Sequence, residues 1–211
     1  RGTVWEQVQN PDFPALIEEV ESCPDCCGGA FDVLWRVNIP REYRDRLLAI
    51  AAEKEDKGNQ LAAFKLLSLM GDSRVTPYVK ERLECDSKNK GCLEECLDSL
   101  EDTPRLRELL RLTSVGKDEE RAGAFHGLHR IRSKKAVKHL IPYLDDRTVL
   151  CGRDFPVGGR HCDWALYVIE STVREKDYNQ SKIYSLYLYS DDEIRKWKEW
   201  WERHKEDAEY Q

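Results

Sequence analysis

Apolar residues recur along this chain with the 3.6-residue spacing of α-helices, and turn signals interrupt them at regular intervals. From residue 57 onward, a helix that is apolar nearly all round is followed by a turn and a second, more amphipathic helix. The predicted units start near residues 59, 91, 119 and 161. A period of roughly 30–40 residues made of helix pairs is typical of an α-solenoid, so we predict an all-α fold.

Capping residues mark the predicted helix ends. Thr76-Pro77 and Thr103-Pro104 each indicate a helix start, with threonine as N-cap and proline at the first helical position. Ser133 is a candidate cap for a helix over residues 134–144. Pro142 lies inside that helix and should bend the helix or delay its start, because proline lacks the N–H and crowds the preceding turn.

The chain divides into an N-terminal part, residues 1–56, and a repeat region, residues 57–211. Residues 11–22 and 40–54 each predict a helix, so the N-terminal part is a helical cap, either separate or continuous with the repeats. The last predicted helix opens with three acidic residues, 191–193, which suit the positive end of a helix dipole. It carries Trp197, Trp200 and Trp201, which either pack as core or line a binding groove.

Residues 57–145 resemble HEAT-like repeats of the phycobilisome-lyase type. KAVKHLIPYLDD at 135–146 is similar to the second helix of such a repeat, and RVTPYV at 74–79 is similar to the same region of an earlier unit. CDWAL at 162–166, followed by WKEWW at 197–201, resembles a terminal repeat common in bacterial proteins of this kind. The resemblance implies a short right-handed α-solenoid that binds or scaffolds proteins, although a few family members act on cofactors or DNA.

The net charge of the chain restricts the classes of partner that it is expected to bind. The 34 Lys and Arg residues are outnumbered by 40 Asp and Glu residues, which gives a net charge of −6. Binding to phosphate backbones is driven by clustered cations, so we predict no nucleic-acid partner. No window contains 18 consecutive apolar residues, so we predict no membrane span. Most of the charge is expected to lie on solvated helix faces, and the expected partner is another protein.

The cysteines point to an oxidising compartment. Their number is even and they fall into three local groups: Cys23, Cys26 and Cys27; Cys85, Cys92 and Cys96; Cys151 and Cys162. This usage favours disulfides and an extracytoplasmic protein, either periplasmic or secreted. Cys151 and Cys162 flank a loop and are the best single pair, and a bond from Cys85 to Cys92 or Cys96 is the next. The alternative is zinc or redox chemistry at the C-x-x-C segment 23–27.

The candidate interaction residues lie in the glycine-rich loop 152–160. Arg153, Phe155 and Arg160 could contact a partner there, because long ordered loops are often functional. Asp163, just after the loop, is interpreted as a helix cap. His126 and His129 share a helix at metal-ligand spacing but are interpreted as one packed and one exposed histidine.

No catalytic motif is present: the chain has no G-x-S-x-G, no P-loop and no H-E-x-x-H. The first hypothesis is therefore a non-enzymatic scaffold or adaptor with no cofactor and no metal. The alternatives are a HEAT-like enzyme such as a base-excision glycosylase, which would need a cationic groove beside a carboxylate and stacking aromatics, and the cysteine-based metal or redox module.

Overall fold

The computed structural model describes residues 10–22, 29–53, 59–150, 159–173, 188–207 and 210. Within these ranges the regular elements are eleven α-helices and two 3₁₀ turns, with no strand among them, so the predicted all-α class is confirmed. The chain divides into two compact units, residues 1–101 and 102–211. Each unit has its own hydrophobic core.

Unit 1 places the N-terminal helices and the first repeat helices around one core. Its elements are α1 (Phe13–Ser22), α2 (Gly29–Leu34), α3 (Arg41–Ala51), α4 (Gln60–Leu69), the 3₁₀ turn Ser73–Val75, α5 (Thr76–Cys85) and α6 (Lys90–Leu100). α4 is buried on most of its surface because its sequence is apolar nearly all round, and it packs against α2, α3 and α6. The helices of the predicted N-terminal cap therefore share their core with the helices that follow.

Unit 2 is organised around a buried helix. Its elements are α7 (Pro104–Val115), α8 (Asp118–Ile131), α9 (Lys134–Leu140), the 3₁₀ turn Ile141–Asp145, α10 (His161–Val173) and α11 (Asp191–His204). α10 packs against α8, α9, α11 and the turn, and nearly all of its residues are buried. α7 and α8 form a helical hairpin through Gly116, where an added Cβ would lie 2.7 Å from the carbonyl oxygen of Leu112.

The predicted helix ends are right in part. Thr103 caps α7, since its hydroxyl accepts a hydrogen bond from the backbone N–H of Leu106 at 3.1 Å. Thr76 does not cap α5; it is already the first helical residue, because the preceding 3₁₀ turn starts the helix earlier. Ser133 occupies the cap position of α9 but makes no capping bond with its side chain. Pro142 lies in the 3₁₀ turn that ends α9, as its missing N–H requires.

Candidate functional site

An exposed concavity of unit 2 lies between α7, the segment that precedes it and α9. Its volume is about 350 Å³, and its lining residues are Asp102, Leu106, Arg107, Leu110, Lys135, Lys138 and His139. We call this concavity the cationic groove, since basic side chains outnumber the single carboxylate among the residues that line it.

The floor of the cationic groove is apolar. Leu106 and Leu110 are one helical turn apart on α7 and therefore share a face. Leu106 is buried in the core of unit 2, whereas Leu110 is only half-buried and keeps part of its side chain at the surface. The cap from Thr103 and the proline at the first position of α7 set where this helix begins, and so where the two leucines lie.

One wall of the cationic groove is the outer face of α9. This helix turns Ala136, Val137 and Leu140 into the core. The same helical period leaves Lys135, Lys138 and His139 on the opposite side, where they line the groove. Lys135 forms no ion pair with the described part of the chain. A carboxylate entering the groove would therefore meet a lysine with no competing partner.

The other wall carries Arg107, which is paired with Asp102. The Arg107 Nη1 atom donates to Asp102 Oδ2 at 3.0 Å and to the Asp102 carbonyl oxygen at 3.1 Å. Both side chains are more than half exposed. An ion pair this exposed contributes only about 0–1 kcal/mol, so an incoming anion can replace Asp102 at little cost.

The pKa of His139 is lowered by its surroundings in the groove. Partial burial and then the charge of Lys138 lower the pKa of its imidazole below the ordinary value, against an opposing effect of Asp102. At neutral pH the ring is therefore uncharged. An anion bound in the cationic groove would favour its protonation.

Of the three predicted loop residues, only Arg160 is described, and it does not line this groove. Arg153 and Phe155 lie outside the described residues. Arg160 is described, but its guanidinium faces inward: Nε and Nη2 donate to the Asp163 carboxylate at 2.8 Å, and Nη2 also donates to the Tyr189 carbonyl at 2.7 Å. It is therefore already engaged within unit 2 rather than presented to a partner.

Asp163 does stabilise the start of α10, although from inside the helix. Its side chain is 1% exposed, and Oδ2 accepts a hydrogen bond from the backbone N–H of Arg160 at 3.0 Å. Its Oδ1 accepts from the backbone N–H of Tyr189 at 2.9 Å. The carboxylate thus links the backbone at Arg160 and at Tyr189 to the start of α10. Both of its oxygens are engaged in these contacts.

The local disulfide predictions differ from the structure. Cys162 is a free and fully buried thiol, so the predicted bond to Cys151 is not formed at Cys162; Cys151 itself lies outside the described residues. Cys85, Cys92 and Cys96 are also free. Cys85 is exposed at the end of α5, whereas Cys96 is buried in the core of unit 1.

The metal and redox alternatives find no support in the described part of the chain. Cys23, Cys26 and Cys27 lie outside it. Burial raises the pKa of the Cys96 thiol to about 12, which keeps it protonated and unreactive. Among the described residues, no group of three or more His, Cys, Asp or Glu side chains is placed to hold a metal ion.

The histidine pair is arranged as predicted, with one ring packed and one exposed. His129 stacks on Tyr167 of α10 with 4.3 Å between ring centroids, and His126 lies at the surface. Burial first, and then the charge of Arg132, lower the pKa of His129 to about 3. The packed ring is therefore neutral at physiological pH.

The aromatic residues of α11 contribute to the core. Trp197 is 1% exposed, and its indole Nε1 donates to Glu170 Oε1 at 3.2 Å, while the Tyr189 hydroxyl donates to Glu170 Oε2 at 2.8 Å. Burial, followed by the neighbouring Glu170, raises the pKa of Tyr189, so the phenol stays protonated and donates. Trp200 is buried beside Trp197. This buried carboxylate is held by structural donors and is closed to a substrate.

A second pair joins the buried His161 to the partly exposed Asp146. His161 Nδ1 lies 2.5 Å from Asp146 Oδ2, and the rings of Phe125 and Tyr143 pack around the imidazole. His161 is only 2% exposed. The pairing resembles that of a general base, but no substrate can reach an imidazole so enclosed.

The sequence interpretation missed the residues of the cationic groove. From the sequence, no role is assigned to Arg107, Lys135, Lys138 or His139, and most charged residues are expected to lie on solvated helix faces. The available signal was the cluster of basic residues at 134–139 in an acidic chain. What the sequence could not indicate was that α7 places a third cation and two leucines opposite that face.

No family model, no curated protein and no solved structure matches this chain. In the described residues, no helix is both long enough and apolar enough to cross a bilayer.

Proposed function

We propose that this chain is a non-catalytic protein-binding scaffold made of HEAT-like helix pairs, and that the cationic groove is where it holds its partner. The observation that carries the proposal is the groove itself, which combines an apolar floor with basic side chains from two helices. Protein interfaces concentrate binding energy where arginine and apolar anchors lie together, surrounded by polar groups.

The helix connections support a repeat architecture. α7 and α8 are joined by Gly116 and Lys117, and α8 and α9 by Arg132 and Ser133. Short links of this kind keep consecutive helices packed as pairs and leave their outer faces available for binding. The stacking of these pairs into a right-handed solenoid is part of the proposal.

The cellular location is also a proposal. The eight cysteines of the sequence favour an extracytoplasmic protein. The four cysteines of the described residues are unpaired, so this location now depends on the other four, Cys23, Cys26, Cys27 and Cys151.

An enzyme has less support than a scaffold. Asp163 and Glu170, both buried carboxylates, already accept hydrogen bonds from neighbouring groups. The described residues that line the cationic groove include no Phe, Tyr or Trp side chain on which a base or sugar could stack.

The proposal is tested by comparing two charge-reversed proteins in affinity capture from the source organism. The groove variant carries Arg107→Glu and Lys135→Glu. The control carries Arg111→Glu on α7 and Lys196→Glu on α11, outside the groove. The arginines are matched because each pairs with a nearby carboxylate and is more than half exposed.

We expect a protein that the wild type and the control retain, and that the groove variant loses, when captured proteins are quantified by mass spectrometry. Circular dichroism melting checks that all three proteins are folded. Equal retention by the groove variant and the wild type would contradict the assignment of the groove.

A further inference from the structure

We infer that the occupant of the cationic groove is an acidic segment of a partner protein, with carboxylates at the groove walls and one apolar side chain on the leucine floor. This inference rests on the proposed function and identifies the chemistry of the partner. It uses three features of the groove, namely the placement of its cations, the size of its floor and the kind of pair it contains.

Cations flank the groove from two separate helices. Arg107 stands on α7, and Lys135 and Lys138 stand on α9. A carboxylate between them is attracted from both walls, whereas a basic group is repelled from both. The chain as a whole is acidic, with a net charge of −6, so an acidic partner is attracted here against the repulsion of the whole chain. Such a contrast selects one binding position and one orientation.

The floor sets the size of what can bind. The volume of about 350 Å³ is at the small end of ligand pockets, which range from about 300 to 1,000 Å³. The exposed part of Leu110, beside the buried Leu106, provides an apolar surface about one helical turn long. One leucine, isoleucine or methionine side chain suits this surface, with polar residues of the same segment at the groove edges.

The Arg107–Asp102 pair favours a carboxylate over a polyanion. An incoming Asp or Glu side chain can take the place of Asp102 on Arg107, which exchanges one exposed carboxylate pair for another. A nucleic acid would place several phosphates near Asp102, which repels them, and would find no Phe, Tyr or Trp side chain among the described lining residues. Carboxylates on a peptide therefore fit these residues better than a phosphate backbone.

The test is a selection from displayed random short peptides on the wild-type protein and on the two charge-reversed proteins. We expect the wild type and the Arg111→Glu, Lys196→Glu control to enrich sequences rich in Asp and Glu around one apolar residue. The Arg107→Glu, Lys135→Glu protein should not enrich them. Enrichment of basic or neutral sequences, or of no sequence, overturns the inference.

Affinity is then measured by fluorescence anisotropy with the best selected peptide. Replacing its acidic residues by Asn and Gln should weaken binding at least about tenfold, as should Arg107→Glu with Lys135→Glu in the protein. Replacing the apolar residue by Ser should weaken it by roughly five- to tenfold. A single-stranded oligonucleotide that binds more tightly than the peptide, with a steep salt dependence, overturns the inference.

Failure of the inference and failure of the proposed function give different results. If no acidic peptide binds but affinity capture still depends on Arg107 and Lys135, the groove holds a protein of another chemistry and only the inference is wrong. If capture is also unaffected by the groove variant, the assignment of the groove fails together with the inference.

Discussion

His129 shows which properties of a single residue can be predicted from a sequence. From the sequence, His126 and His129 are interpreted as one packed and one exposed histidine, and the structure packs His129 on Tyr167 with 4.3 Å between ring centroids. The partner could not be named in advance, because α8 and α10 meet only through tertiary packing. Nor could the sequence indicate that burial lowers the pKa of His129 to about 3.

This shift predicts a loss of stability in mild acid. In the unfolded chain, His129 takes up a proton as the pH falls through about 6.5, whereas the folded state resists protonation down to about 3. The free energy of unfolding should therefore fall as the pH is lowered from about 6.5, by up to about 2 kcal/mol at pH 5. Urea unfolding followed by circular dichroism at several pH values measures this fall.

His129→Leu supplies the comparison for that experiment, since leucine fills the packed position without titrating. Its stability should vary less between pH 6.5 and pH 5 than that of the wild type. The control is His139→Gln, which removes a more exposed histidine. An unchanged pH profile for His129→Leu would show that the acid response arises from other groups.

At the residue scale, Arg160 shows what could not be predicted from the sequence. A loop arginine beside glycines looks available to a partner, and the sequence interpretation assigned it that role. Asp163 lies three residues later and Tyr189 lies 29 residues later, and together they hold the guanidinium inside unit 2. The sequence already indicated the nearer partner, Asp163, as a helix cap. The farther one depends on how the chain returns after α10.

At the scale of the helix, two identical Thr-Pro dipeptides differ in whether the threonine caps its helix. Thr76-Pro77 and Thr103-Pro104 carry the same helix-start signal, yet only the hydroxyl of Thr103 accepts a capping hydrogen bond. The difference lies upstream, where the side chain of Asp72 accepts from the backbone N–H of Arg74 and starts a 3₁₀ turn that leads directly into α5. The local signal is therefore correct for a helix but is not sufficient to place its first residue.

The two Thr-Pro dipeptides provide a mutation and its matched control. Thr103→Ala should lower the free energy of unfolding by about 1 kcal/mol, because the N–H of Leu106 loses its acceptor. Thr76→Ala should change it by less than about 0.5 kcal/mol, because Thr76 makes no capping bond. Denaturant unfolding of the two variants measures the difference. Equal losses would mean that the cap of α7 contributes nothing beyond the dipeptide itself.

The cationic groove belongs to this scale as well, because it depends on two helices at once. α9 is short, since Pro142 ends it, and its seven residues can bury one apolar face while leaving a basic face exposed. α7 contributes the leucines and Arg107. Neither helix alone has the residues for a binding site, so the basic cluster at 134–139 was not sufficient to predict one.

At the scale of the whole molecule, the hydrophobic positions form two cores rather than one. The predicted division at residues 56 and 57 separated a helical cap from the repeats. In the structure, α1 to α3 share a core with α4 to α6, and the two compact units meet in sequence at residues 101 and 102. Apolar helix faces join whichever helices can cover them, and nothing in the periodicity of residues 11–54 marks their partners.

The proposed solenoid predicts an elongated particle. A compact globule of 211 residues has a radius of gyration of about 17 Å, and a stacked array of helix pairs should exceed this value. Small-angle X-ray scattering of the monomer measures the radius directly, with size-exclusion light scattering as the check on oligomeric state. A radius equal to the compact value would contradict the solenoid while leaving the all-α class unaffected.

The sequence by itself determined most of the described helices, since 3.6-residue periodicity, caps and prolines act within a few residues of one another. It predicted the helix starts near 91, 119 and 161 and the acidic opening of α11, but not the short helix α2. Only the tertiary structure decided which helices share a core, that Arg160 is held by Asp163 and Tyr189, that Cys162 is a free buried thiol, and that Arg107 faces Lys135 and Lys138 across a leucine floor. These features join residues far apart along the chain, and such contacts follow from three-dimensional packing, which no local pattern encodes.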